Sequence, residues 1–406
     1  MKTIRQYPII QITKKGKKFL QEGHPWVYEG EVVDVINNPE DGQLVDVMAN
    51  NTYMGTGFYN SHSKIRVRLI SRNANDTFDE NFWYRRAKYA IQYRQTVMPD
   101  EDFKCCRLVH GEADQFPGLT IDRFNTLLSV QFVCLGMDKI KDVILKAFYD
   151  ILTEMGENIE GIYLRNDVSI RKLEGMEEYK GWYEGISHPD SALVEIIENG
   201  IIYQVDVENG QKTGFFLDQK YNRKAIRRIS KDKTILDCFT HTGSFGLNAA
   251  KGEAKHVTSV DISSSAIEMA RENARRNHLD NISFEVCDVF DLLTQLDKEK
   301  KHPYDFIILD PPAFTKSRNT IKDATRGYKE INYRAMKILP RGGYLATCSC
   351  SHFMSDELFR KMLADAAKDA NVALRQIEAR QQACDHPILW NVDETNYLKF
   401  YIFQVC

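Results

Sequence analysis

The 406-residue chain has no apolar run near the roughly 18 residues that a membrane-spanning helix needs. Its first ten residues, MKTIRQYPII, hold no long apolar segment with a small-residue cleavage site, so no secretory leader is expected. Metal-ligand spacing is missing too. None of the ten histidines forms H-x-x-x-H, and the nine cysteines form no C-x-x-C. An odd number of cysteines in a chain this long argues for free thiols in a reducing compartment, with the cytoplasm as the expected location. Charge of one sign is also lacking: 54 Lys and Arg stand against 57 Asp and Glu, a net charge of −3, which argues against a protein that coats nucleic acid. With 43% hydrophobic and 27% charged residues, disorder and fibrous repeats are excluded, and the length points to two or three domains.

What charge there is lies unevenly. Residues 1–72 carry ten basic side chains (Lys2, Arg5, Lys14, Lys15, Lys17, Lys18, Lys64, Arg66, Arg68 and Arg72) against seven acids, so a basic segment precedes an acidic remainder. That asymmetry points to an anionic partner. The same segment, 1–73, alternates short β-type runs with Asn, Gly and Ser turn residues and reads as a small β domain. Thr77-Phe-Asp-Glu80 is expected to cap a helix that Pro99 closes, opening a central α+β domain over 74–188 with a turn at Asp122–Asn125. From 189 to 406 the pattern changes. A hairpin turning at Asn199-Gly200 leads into strict strand–helix alternation. Two-sided apolar strands such as FIIL predict a Rossmann-like α/β domain with a mostly parallel sheet. The last two strands lie too close for a helical crossover and are expected to form an antiparallel pair.

In such a sheet, ligands bind outside the carboxyl ends of the strands. Four successive strands end in Asp237, Asp261, Asp288 and Asp310. One strand-end Asp is commonly a turn former, but four in succession are hard to explain that way. Gly243 permits close backbone approach, and Asp261 is placed to hold ribose hydroxyls. The loop has Gly243 and Gly246 only, short of the G-x-G-x-x-G that a pyrophosphate needs. An acidic loop suits a nucleoside carrying an amino acid, and S-adenosylmethionine is the expected cofactor.

Asp310-Pro-Pro-Ala-Phe314 follows the fourth strand. Its prolines stiffen the exit and present Asp310 beside the place for a transferable methyl, with Phe314 free to stack on a base. The next strand ends Thr347-Cys-Ser-Cys-Ser351, and Cys348 and Cys350 share one face. Carbon 5 of cytosine is unreactive until a thiolate adds to carbon 6, so either cysteine at this position suggests cytosine methylation.

These residues resemble the large-subunit ribosomal RNA methyltransferase I family, the 5-methylcytosine enzymes of 23S rRNA. The likeness spans the chain: Gly23–Val27, Gly111–Asp114 and Pro117–Arg123, Arg171–Met176, Gln211–Gln219, Asp310–Phe314, Arg326–Lys329, Ser349–Ser351 and Asp385–Pro387. The resemblance implies an N-terminal β-barrel-like PUA domain that binds RNA, and a class I methyltransferase domain at the C-terminus. It implies Cys350 as nucleophile, with Cys348 an alternative because Thr347-Cys348 is similar to the motif of two-cysteine RNA cytosine methyltransferases. Asp237 and Gly243 would shape the cofactor loop, Asp261 hold the ribose and Asp288 reach the adenine. Phe216 and Asp218 would close over the methionine end. Asp310, directly or through a water, is the candidate for removing the carbon-5 proton. Lys14, Lys15, Lys17, Lys18, Arg66 and Arg68 are the expected phosphate contacts, while His24-Pro25-Trp26 is expected to pack the small domain. The implied partner is 23S rRNA or a large-subunit assembly intermediate, with no membrane; a homodimer is left open. Two other functions stay in view: guanine N-methylation, which needs no thiol, and non-catalytic RNA binding.

Overall fold

Left-handed turn residues Asn37, Asn38 and Asn50 (φ 67°, 41° and 54°) cut the N-terminal segment into short strands that join one six-stranded sheet. The computed structural model describes residues 7–300, 302–315 and 317–406; Lys2 and Arg5 lie outside the described residues. The sheet runs Trp26–Tyr28, Ile65–Ser71, Thr52–Tyr59, Leu44–Ala49, Ile9–Ile12, Val32–Ile36, around a core that includes Val27, Val45, Val47 and Val67. The lysine run is a helix, Lys14–Gln21, whose first turn is capped by Thr13 Oγ1 accepting from Gly16 N at 3.1 Å.

Helix Glu80–Val97 begins at Asp79 rather than Thr77: the Asp79 carboxylate accepts from Phe82 N at 2.9 Å, satisfying a first-turn donor. It ends before Pro99, and Phe82, Ala87, Ala90, Ile91 and Met98 are all buried. The following five-stranded sheet has the order Tyr179–Trp182, Gly161–Asn166, Leu127–Phe132, Leu119–Phe124, Cys105–His110. Its tight turn falls at Asn125-Thr126, later than expected. Asp122 and Arg123 are kept in strand by ion pairs with Arg107 (2.7 Å) and Glu157, and Asn125 takes the left-handed φ of 54°. These segments, with 205–217 and 384–395, form one compact unit; 197–204, 218–383 and 396–406 form the other.

The second unit is built on seven strands: β1 (Thr234–Cys238), β2 (His256–Asp261), β3 (Ile282–Val286), β4 (Phe306–Leu309), β5 (Tyr344–Ser349), β6 (Leu374–Arg380) and β7 (Lys399–Val405). Its helices are α1 (Lys220–Ile229), α2 (Ser244–Lys251), α3 (Ser264–Arg276), α4 (Val289–Lys298), α5 (Ile321–Ile338) and α6 (Asp356–Asp369). The sheet order is β3-β2-β1-β4-β5-β7-β6, with the first five strands parallel. All four residues of β4 are buried, as a strand covered by helices on both faces requires. The antiparallel last pair finishes the sheet as expected, with β7 between β5 and β6. The result is that the start of β7 lies at the same end of the sheet as the carboxyl end of β5. Among the described residues no helix is long and apolar enough to cross a membrane.

Candidate active site

Asp237, the penultimate residue of β1, is fully buried and organises the loop beyond it. Its Oδ2 accepts from Thr240 Oγ1, from Gly246 N at 2.8 Å and from Ser259 Oγ at 3.1 Å. Burial pushes its carboxyl up to about 7, with those three donors working in the opposite direction. Gly243 has a φ of 86°, a conformation that disfavours any side chain, and it starts α2. Asp261 caps the next loop: Oδ2 accepts from His241 N and Oδ1 from Ser263 N, both at 2.9 Å. Asp288 is the N-cap of α4, accepting from Phe290 N at 2.7 Å. The topology therefore brings Asp237, Gly243, Asp261, Asp288 and Asp310 to one end of one sheet, as expected.

The S-C-S triplet is anchored on both sides. Ser349 Oγ donates to Tyr328 Oη (3.0 Å), Ser351 Oγ donates to Thr315 O (2.9 Å), and Lys399 Nζ donates to Ser351 O (2.7 Å). The partly buried Cys350 is thus held between two anchored serines, one tied to α5 and one to the loop after Asp310. Cys348 differs. It is fully buried against the β-sheet core, and its Sγ donates to Asp310 Oδ1 at 2.9 Å. Burial pushes this thiol up, and the Asp310 carboxylate pushes it further. Cys348 is thus a buried hydrogen-bond donor to Asp310. Burial likewise pushes Asp310 up to about 6, partly offset by the Cys348 thiol.

Phe314 does not stand free. Its ring lies 4.6 Å from that of Tyr328 and 5.9 Å from that of Phe290, and a Cβ at Gly327 would come within 3.3 Å of it. The R-G-Y-K segment thereby acquires a role: Gly327 makes room for Phe314, and Tyr328 supports both it and Ser349. Sequence reasoning missed Gln219, the last residue of the conspicuous Q-K-T-G-F-F-L-D-Q segment. Its Nε2 donates to Asp310 Oδ1 at 3.2 Å and to Cys348 Sγ at 3.4 Å, while Asn222 fixes its Oε1 at 2.6 Å. Asp218 accepts from Tyr397 Oη at 2.7 Å. Phe216 belongs to the first unit, where Lys212 Nζ sits 5.2 Å over its ring.

In the first unit, Lys14, Lys15 and Lys18 are exposed and Lys17 partly so. Arg66 pairs with Glu29 at 2.8 Å. Arg68 is corrected: it is buried between Glu112 (3.0 Å) and Glu174 (2.9 Å), so its guanidinium is committed within the protein and not presented to phosphate. Trp26 Nε1 donates to the same Glu112 at 2.8 Å and His24 stacks on Phe19, the packing role expected of that motif.

Residues 179–404 match the sequence model of the S-adenosylmethionine-dependent methyltransferase family, and residues 10–72 that of a PUA-like domain. The chain is 39% identical over 393 residues to ribosomal RNA large subunit methyltransferase I of Aeromonas salmonicida, spanning 96% of this chain and 97% of the relative. The protein of the same name from Pseudoalteromonas translucida is 40% identical over 391 residues, with 96% and 97% covered. The chain belongs to the ribosomal RNA large subunit methyltransferase I family. The fold extends to more distant solved chains. A Streptococcus mutans protein described as SAM-dependent methyltransferase superposes with a TM-score of 0.81 at 23% identity, over 98% of this chain and 99% of that one. A chain solved in complex with SAH reaches 0.83 at 22% identity over the same shares.

As a member of this family the chain is an S-adenosylmethionine-dependent methyltransferase with an N-terminal PUA-like domain, and its residues fit that cofactor. The donor set at the strand ends is acidic, which suits a sulfonium and an ammonium and would repel a pyrophosphate. In addition, buried Asp237 Oδ1 and Thr242 Oγ1 have no hydrogen-bond partner among the described residues, leaving polar capacity at the cofactor loop. Among the described residues no group of three or more His, Cys, Asp or Glu could hold a metal ion.

Proposed function

We propose that this chain methylates carbon 5 of a cytosine in the RNA of the large ribosomal subunit, 23S rRNA, through a covalent adduct with Cys350. The observation that carries the reading is the contrast between the two thiols. Cys348 is buried and spent on Asp310, whereas Cys350 is partly accessible and held by Ser349 and Ser351 beside the D-P-P loop. The relatives' name supports large-subunit rRNA as substrate, and the PUA-like domain supports RNA binding.

The chemistry follows from those positions. Cys350 sulfur adds to carbon 6 of the base, which makes carbon 5 enamine-like and nucleophilic. Bound S-adenosylmethionine supplies an electrophilic methyl. Asp237 and Gly243 would shape its loop, Asp261 would hold its ribose, Asp288 its adenine, and Asp218 its methionine end. Asp310, directly or through a water it orients, then takes the carbon-5 proton; the carbon 6–sulfur bond breaks and the thiolate returns. Gln219 holds the Asp310 carboxylate for that step.

The test is methylation of 23S rRNA with a tritiated donor, followed by mapping of the product. Cys350→Ala should lower the rate by more than about a thousandfold, and Cys348→Ala should retain most of it. RNA carrying 5-fluorocytidine should become covalently attached at Cys350. A Cys350→Ala protein that methylates at the wild-type rate overturns the reading in favour of nitrogen methylation.

A further inference from the structure

A second polar site lies at the same end of the sheet, on the side away from the cofactor loops. Ser349, the last residue of β5, pairs with Lys399, the first of β7, and Arg380, the last of β6, pairs with Phe400. Helix α6 begins just after β5, at Asp356. These ends enclose a cavity of about 380 Å³ whose wall includes Asp356, Arg360, Arg380, Lys399 and Tyr401. The cofactor loops follow β1, β2 and β3; this cavity lies against β5, β7 and β6, across β4 from them.

Its charge is unbalanced. Three cations line it with one acid, and that acid is occupied, since Asp356 accepts from Tyr401 Oη. Arg380 is paired with Glu378 at 3.0 Å and donates to Asn222. Neither Lys399 nor Arg360 has a carboxylate partner among the described residues. Lys399 is buried, 6% exposed, and its ammonium donates only to two carbonyls, Ser351 O at 2.7 Å and Tyr397 O at 2.8 Å. The nearby Cys350 sulfur and Asp356 carboxylate favour its charge, but neither forms an ion pair with it, so this buried cation is only partly compensated. Burial pushes its pKa down to about 8, in line with a cation short of counter-charge. The cavity also adjoins the reacting centre through a single residue, because the carbonyl that Lys399 holds belongs to the neighbour of Cys350.

We propose that this cavity is a phosphate site of the RNA substrate, in which Arg360, Lys399 and Arg380 hold a phosphodiester at or next to the target nucleotide while its base lies at Cys350. The inference rests on the RNA methyltransferase reading above. It assigns the cavity a positioning task. A base swung out of its stack must be held by its backbone, and cations at the pocket rim supply that hold without reading sequence. Arg360 is exposed on α6 and approaches from solvent; Lys399 forms the floor.

The experiment uses the full chain and an rRNA fragment, with binding read by fluorescence anisotropy in the Cys350→Ala background and turnover read in the otherwise unaltered protein. Arg360→Ala should raise the RNA Kd and KM by roughly threefold to tenfold and lower the slope of log Kd against log salt by about 1. S-adenosylmethionine affinity and kcat at saturating RNA should stay as they were. Arg360→Glu should have the larger effect. Lys399→Met should act in the same direction and Lys399→Arg less so; if the Lys399 variants fail to fold, the Arg360 pair decides. Wild-type Kd, KM and salt slope in both Arg360 variants overturn the site. Because the Cys350→Ala background removes the chemistry, a failure of covalent catalysis leaves this binding measurement readable.

Discussion

Asp237 shows how a single side chain can serve a loop and still resist ionisation. Its ordinary pKa of 3.8 is raised to about 7 by burial, so between those values the folded protein holds a proton that the unfolded chain has released. The sign follows: this group's contribution to stability is greatest below pH 4 and is lost as pH rises towards 7. Asp237→Asn removes that dependence. Urea unfolding at pH 4.5, 5.5, 6.5 and 7.5 should show the variant gaining on wild type as pH increases; a constant difference would mean that Asp237 ionises freely when folded. The four strand-end acids were legible in the sequence as residue type and spacing. Their separate environments were not, because the burial that sets Asp237 apart from Asp261 depends on Ser259 and Gly246, brought together only when β1, β2 and α2 pack. For the same reason Gln219 could be seen only as the end of a distinctive segment. Its contacts with Asp310 and Cys348 span 91 and 129 residues.

At the scale of the element, α2 packs directly against the strand ends where the cofactor loop is proposed. A Cβ at Gly246 would overlap Ser259 Oγ and come within 2.8 Å of Asp237 Oδ2, so the missing side chain is what lets the helix start against the strand ends. Gly246→Ala should destabilise the second unit by about 1–3 kcal/mol in chemical denaturation. It should also weaken binding of S-adenosylmethionine by calorimetry, since the helix start must retreat; unchanged affinity would separate the helix from the cofactor loop. Strands β1 to β5 and helices α2, α3, α5 and α6 were readable from apolar period and turn residues. Helix α1 was not: in KYNRKAIRRI the residues that face inward include Lys220, Asn222 and Arg223, so its buried side looks polar in sequence. Arg223 is compensated by a bidentate pair with Glu198 at 2.6 and 2.7 Å, a partner in the preceding hairpin that no periodicity announces.

For the molecule as a whole, the basic N-terminal segment divides into two kinds of cation. Lys14, Lys15 and Lys18 are exposed on one short helix whose first turn has no acid, a costly arrangement for the helix dipole and a suitable one for phosphate. Arg68 is internal, joining strand Ile65–Ser71 to Glu112 and Glu174 of the central domain. Replacing the three lysines together with Ala should lower the salt slope of RNA binding by about 2 to 3 with little change in melting temperature. Arg68→Met should lower the melting temperature and leave the slope alone, because it strands the buried Glu174 and the partly buried Glu112. Equal slopes in the lysine variant and wild type would remove that helix from the RNA contact.

By itself the sequence determined the class of each domain, the parallel sheet and the acidic strand ends, because periodicity and turn chemistry are local and survive without neighbours. It also narrowed the candidate nucleophile to two cysteines two positions apart. Only the tertiary structure shows how differently the two are placed. Whether a thiol is a spent donor or a partly accessible group depends on Asp310 and Thr315, from the loop after β4, and on Lys399, at the start of β7. The same holds for Arg68 against Lys14: both are cations in a basic segment, and only packing decides which one keeps its charge inside.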